Sequence, residues 1–296
     1  MDPAPSLPPA RSSIVAMLTS SFSFAKGMTD DLERGLWARG VLDWDLAKAH
    51  PEEVVEGVGG SRASRLAESL GEAQKSLTAR DRGWFKANFT AHEAWRLWRG
   101  YCPAERIALV DIETTGLTPG YDQITVIGLV DRDRQRVFVA GKPMPGDEPL
   151  ERFPAALKDY DLIVTFNGEN FDLPFIERHF KDAGLRLDQP HLDLLILARA
   201  LGISGGLKDI EKQVGISRGG DIAGMRGSEA ITLWGAWKNG DAAAYRKITT
   251  YCKADCANLW DLAEVLYGRR WAKMFTAHAK PVDFARTKGQ QLSIFG

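Results

Sequence analysis

Asp111 and Glu113 stand two residues apart in ALVDIETTGL, a run that reads as a strand. A two-residue step along a strand returns to the same face, so both carboxylates project together while Ile112 faces the other way. Acids ending an apolar strand are costly unless water or cations meet them. Paired hard oxygens of this kind suit Mg²⁺ or Mn²⁺ better than zinc. The pattern D-x-E alone also describes many ordinary strand ends. Asp172 follows Asn167-Gly168-Glu169-Asn170-Phe171, where a later strand gives way to a helix. An Asp there also makes a good N-cap. Tyr251 and Asp255 are four apart on a long C-terminal helical segment and so share a face, which a partly solvated helix surface would equally accommodate. The acids matter jointly, because a strand, a strand–helix junction and a helix each deliver one or more of them.

The elements that must position these residues follow from periodicity. IALVDIE, QITVIGLVD, QRVFVAG and DLIVTFNG read as buried strands with turn residues between them. An amphipathic helix follows at about 173–183, and after His191-Leu192-Asp193 the chain reads helical, ending in a segment from 241 to about 267. Strands, a crossover, another strand and then helices predict an α/β domain over 101–265 with a mixed sheet flanked by helices. Before it, 21–100 is helical in pattern. Thr29 precedes acids in a first turn and Gly40 ends that segment, while Gly57 to Ser61 opens another helix through Ala63, Leu66 and Leu70. Trp84, Phe85, Phe89, Trp95 and Trp98 concentrate just before the strands and read as packing between small helices.

ALVDIETTGL, LIVTFNGENFDLPFIERHF and YCKADCANLWDL together resemble the three exonuclease motifs of the DnaQ-like, RNase H-fold 3′–5′ exonucleases. The Tyr251-x-x-x-Asp255 spacing is similar to the tyrosine, or DEDDy, subclass, and no His lies within several residues of Asp255. The lead-in WFKANFTAHEAWRLWRGY, HLDLL at 191–195 and GLKDIEKQVGI at 206–216 resemble the YprB-like branch of bacterial DNA-repair exonucleases, so the likeness spans about 22–265. The resemblance implies an RNase H-like fold with a mixed five-stranded sheet, in which Asp111, Glu113, Asp172 and Asp255 hold two Mg²⁺ or Mn²⁺ ions about 3.5–4 Å apart. It implies that a neutral Tyr251 orients the attacking water, and that Thr114, Thr115 and Asn167 border the substrate. The expected activity is metal-dependent 3′–5′ hydrolysis of DNA in repair or replication. An exoribonuclease and a non-catalytic adaptor are the alternatives, and a repair helicase is a candidate partner. His191 and Asp193 are weaker candidates that could simply stabilise the fold. FAKGMTDDLERGLWARGVLDWDL resembles a degenerate helix-hairpin-helix unit, supported by Gly27 and the later Gly57, Gly59 and Gly60.

Composition sets the outer bounds. The chain has 296 residues, 44% hydrophobic and 26% charged, which excludes a largely disordered protein. Lys and Arg number 38 against 39 Asp and Glu, so any pull toward nucleic acid is local and not global. Apolar runs are too short for a membrane span, and the proline-rich start lacks the apolar stretch of a secretory signal, so 1–20 is expected to be a flexible leader. Cys102, Cys252 and Cys256 show no zinc-ligand spacing. Their small number fits a reducing, cytoplasmic setting, and Cys252 and Cys256 read as core residues about 100° around the helix from the catalytic face. From 266 onward Arg269, Arg270, Lys273, Lys280, Arg286 and Lys288 face one acid, Asp283, which reads as a basic tail. Within it Gln291, Leu292, Ile294 and Phe295 form QLSIF, similar to the pentapeptide that binds the bacterial sliding clamp.

Overall fold

The computed structural model describes residues 17–217 and 227–280. The first part of the chain forms α1 (Asp30–Ala38), α2 (Trp44–Ala49), α3 (Pro51–Val58), α4 (Gly60–Ala79) and α5 (Arg82–Asn88). Three starts are capped as their sequences suggest. Thr29, Asp43 and Asp81 accept hydrogen bonds from the backbone N–H of Leu32, Leu46 and Trp84. α3 and α4 meet at Gly59, whose φ of 82° is open to glycine at little cost. Phe85, Phe89, Trp95 and Trp98 are buried, as expected of packing residues. Among them runs a fully buried ion pair. Arg96 donates to both oxygens of Glu33 at 3.1 and 2.8 Å, and Glu33 also accepts from the Phe22 N–H at 2.6 Å.

The chain then enters a six-stranded sheet: β1 (Ile107–Thr114), β2 (Ile124–Val130), β3 (Gln135–Val139), β4 (Glu148–Pro149), β5 (Leu162–Thr165) and β6 (His191–Asp193). Spatial order is β4-β3-β2-β1-β5-β6. β1 is antiparallel to β2 and parallel to β5, so the sheet is mixed. The four strands read from the sequence are joined by two short ones, the two-residue β4 and the three-residue β6, so the sheet has six strands where the resemblance implied five. Alternation along β1 sorts the core. Ala108, Val110 and Ile112 pack on one face with Phe175 and Ile176, while Ile107 and Leu109 pack on the other with Leu259 and Leu262. The first face is covered by α6 (Phe153–Leu157) and α7 (Asp172–His179). α8 (Leu194–Ala200), α9 (Leu207–Val214), α10 (Gly227–Lys238) and the 30-residue α11 (Ala242–Trp271) complete the order. α11 crosses β1, β2 and β3 on the second face.

Gly128 decides how closely α11 approaches. A Cβ at this β2 position would lie 2.5 Å from Cys256 Sγ and 3.0 Å from Cys252 Sγ. A glycine inside a strand is the usual mark of such an approach.

Several expectations are corrected. α7 ends at His179, short of the helix predicted to 183. The leader is packed from residue 17: Met17 and Leu18 are fully buried, and the Met17 N–H donates to the Tyr267 hydroxyl. Residues 266–280 are not a solvated tail. α11 continues to Trp271, a π-helical turn spans Ala272–Thr276, and Leu266, Tyr267, Met274 and Phe275 are buried. Phe275 meets Trp37 edge-on, with ring centres 5.1 Å apart. Arg269 and Lys273 lie on the exposed side of this segment, while Arg270 is half-buried with its guanidinium 5.6 Å from the Trp95 ring centre. Gln291, Leu292, Ile294 and Phe295 lie outside the described residues. Among the described residues no helix is long and apolar enough to cross a membrane.

Candidate active site

Three elements deliver the acids. β1 brings Asp111 and Glu113, the start of α7 brings Asp172, and α11 brings Tyr251 and Asp255. Glu113, Asp172, Tyr251 and Asp255 are buried, and Asp111 is half-buried. The β1–β2 register shifts between Glu113 and Thr114, a bulge at the point where the strand must turn its acids toward α11. Asp172 is the first residue of α7 and does not cap it; the capping position belongs to Phe171, which makes no side-chain cap.

The acids repel one another through a dry environment. Burial, followed by the charges of Asp255, Glu113 and Asp172, holds Asp111 well above the usual carboxylate range. Glu113 is raised in the same way, by burial and then by Asp255 and Asp172. Burial pushes Asp172 up to about 7, although backbone N–H donors, including that of Ile112, pull it down. Such a group of like charges is stable only with protons or cations among it. Its oxygen donors fit hard divalent ions, and oxygens of Asp111 and Glu113 lie within 4.8 Å of each other and of Cys252 Sγ.

Tyr251 hydrogen-bonds Asp255 one helical turn on, and burial with the nearby carboxylates raises its pKa well above the ordinary phenol value. Its hydroxyl therefore keeps its proton near neutrality. Lys208, on α9, was not singled out from sequence. Its ammonium is shielded from solvent and lies 4.7 Å from the Tyr251 ring centre, and its charge lowers the Glu113 pKa. Cys252 is a core residue as expected, yet its thiol reaches further than the helical angle suggested and donates to the Asp111 carbonyl at 3.5 Å.

Thr114, Thr115 and Asn167 sit around this centre in different ways. The Thr114 hydroxyl donates to the Gly116 carbonyl, and that of Thr115 accepts from the Gln123 N–H at 2.9 Å, so both brace the turn after β1. Asn167 adopts φ 64° in the turn between β5 and α7. Its N–H donates to Asp193 Oδ1 at 2.8 Å, and the Glu169 N–H donates to Asp193 Oδ2 at 3.2 Å. A Cβ at Gly168 would fall 2.0 Å from Thr165 Oγ1, so this turn closes only around a glycine. His191 Nε2 is 2.8 Å from Thr165 Oγ1, and Nδ1 is 3.2 Å from Glu169 Oε2. His191 and Asp193 thus act separately. Each holds the turn that aims Asp172.

The mixed sheet with helices packed on it is an RNase H-like fold. Residues 108–267 match the RNase H superfamily model, and the chain belongs to that superfamily. The chain is 30% identical over 183 residues to the uncharacterized protein MJ0365 of Methanocaldococcus jannaschii, covering 54% of this chain and 94% of the relative. A family B DNA polymerase structure from Pyrobaculum calidifontis superposes with a TM-score of 0.41 at 19% identity, over 59% of this chain. The match spans 25% of that polymerase chain.

Proposed function

We propose that the protein is a metal-dependent 3′–5′ exonuclease of the DEDDy type acting on DNA, with a role in bacterial repair or replication. One observation carries the reading. Three separate elements bring Asp111, Glu113, Asp172 and Asp255 together, so that the charges of Asp255 and Asp172 raise Asp111 and Glu113, with the Tyr251 hydroxyl bonded to Asp255. Residues with strongly perturbed ionisation gathered at one place are a functional signature. Two Mg²⁺ or Mn²⁺ ions held by these four carboxylates would supply Lewis acidity to the attacking water and to the departing 3′ oxygen.

The chain's own residues do the rest. Tyr251, kept neutral, donates or accepts a hydrogen bond to place water and does not abstract its proton. Lys208 supplies fixed positive charge beside Glu113, where negative charge is concentrated and a phosphate must enter. Asp193 and His191 hold the 165–169 turn, which fixes the start of α7 and with it Asp172. Thr114, Thr115 and Asn167 border the entrance that the terminal nucleotide would use. The helices before β1, with the α3–α4 junction at Gly59, form a candidate second contact with the nucleic acid. QLSIF at 291–295 would recruit a sliding clamp.

Incubating end-labelled DNA and RNA with the protein in Mg²⁺, Mn²⁺ or EDTA tests this reading. Stepwise loss of DNA from the 3′ end, abolished by EDTA, supports it. Faster loss of RNA would move the assignment to an exoribonuclease.

A further inference from the structure

Beside the carboxylate centre, the turn joining β1 to β2 faces the outer end of α7. A cleft of about 200 Å³ lies between them, lined by Gly120, Asp122, Gln123, Ile124, Phe175, Arg178 and His179. Its lining mixes polar and apolar groups. Two observations set it apart from an ordinary surface groove.

The first is aromatic exposure. Tyr121 is 90% exposed, and it belongs to a turn that is firmly built. The Tyr121 and Asp122 N–H groups both donate to the Thr118 carbonyl, and Asp122 Oδ2 accepts from the Thr118 N–H at 2.9 Å. The Asp122 carboxylate is thereby engaged within the turn. A phenol ring held outward by a rigid turn gains nothing for the fold, because its face is left in water.

The second is an uncommitted cation. Arg178 is exposed and makes no hydrogen bond or ion pair with any described residue. Its guanidinium is held against the turn, since a Cβ at Gly120 would meet its Nε at 3.3 Å. Arg178 lies six residues beyond Asp172 on the same helix, about 9 Å of axial rise from the acids. The carboxylates repel a polyanion, so a chain threading toward them needs positive charge near its approach.

We propose that this cleft holds the strand leading away from the carboxylate centre, with Tyr121 stacking on an unpaired base and Arg178 binding the adjoining phosphodiester. The inference rests on the nuclease reading above and narrows it to single-stranded nucleic acid, because a base locked in a duplex does not offer a free face to Tyr121. Stacking platforms next to cationic groups bind single strands with little sequence preference.

The test is steady-state degradation of a long single-stranded oligonucleotide and of a blunt duplex of the same sequence, in Mn²⁺, by the full chain and its Tyr121→Ala, Tyr121→Phe and Arg178→Ala variants. The expected result is a KM on the single strand raised about tenfold by Tyr121→Ala and by Arg178→Ala, with kcat little changed, while Tyr121→Phe keeps the wild-type KM. The wild type is expected to prefer the single strand. Wild-type KM values in both alanine variants would overturn the cleft while leaving the nuclease reading intact. A wild-type protein that degrades neither substrate would overturn both.

Discussion

The ammonium of Lys208 lies 4.7 Å from the centre of the Tyr251 ring, on the side of the site where Glu113 feels its charge. A cation over an aromatic face in a shielded setting is a favourable contact as well as a source of field. Replacing Lys208 by Met keeps most of the side-chain volume and removes the charge. Turnover is expected to fall on the order of tenfold or more, the usual scale for losing a preorganised charge. Tyr251→Phe is expected to lower single-turnover rate by a similar factor while leaving oligonucleotide affinity nearly unchanged. Unchanged single-turnover rates in both would reduce the pair to packing.

Asp172 gives a pH signature of the metal-free protein. Its folded pKa, about 7, is above the ordinary value near 3.9 for an unfolded chain. A raised folded pKa contributes stability that is complete below about pH 4 and is lost as pH rises through about 7. Asp172→Asn should therefore match the wild type in melting temperature at acid pH and exceed it increasingly toward pH about 8, both in EDTA. Adding Mn²⁺ should reverse the order above neutrality, because only the wild type keeps all four ligands. Melting curves that run parallel across this range would show that Asp172 is not under charge stress.

Gly128 predicts the consequence of pushing α11 off the sheet. A larger side chain must displace Cys252 and Cys256, which flank Asp255 on α11. Gly128→Val is expected to cost about 1–3 kcal/mol by overpacking. It should also abolish hydrolysis, as Asp255 and Tyr251 move away from Asp111. Thermal denaturation and an activity assay on the same sample read both effects.

The clamp reading can be tested with a peptide. Short motifs bind by seating a few anchors in preformed pockets, typically at micromolar strength, about −8 kcal/mol. A peptide covering residues 287–296 should titrate a purified bacterial clamp in that range, and Leu292→Ala with Phe295→Ala should remove the signal. No binding at hundreds of micromolar, about −5 kcal/mol, would contradict it.

What was legible in the sequence depended on whether the signal was local. The apolar runs of β1, β2, β3 and β5 announced themselves, and Asp111 and Glu113 came with β1. Thr29 showed where α1 begins. The two-residue β4 has too few positions for any period to appear. Lys208 acts on Tyr251 and Glu113 only after α9 and α11 pack together, a relation no spacing along the chain encodes. The region after 266 shows how charge count misleads. Six basic residues suggested a solvated tail, yet Tyr267, Trp271, Met274 and Phe275 fall at helical intervals on one face, and that period was the better guide. Conversely, Gly128 within QITVIGLV was a readable sign of close approach, although the partner was not.

The central claim is that Asp111, Glu113, Asp172 and Asp255 form one hydrolytic centre. The most direct measurement follows a 5′-labelled single-stranded DNA in Mn²⁺ with wild-type protein and with Asp111→Asn and Asp255→Asn, each purified identically and shown by melting to be folded. The account expects a ladder shortening from the 3′ end with the wild type, and no products with either variant or with EDTA. Products of equal yield from the wild type and both variants would contradict it.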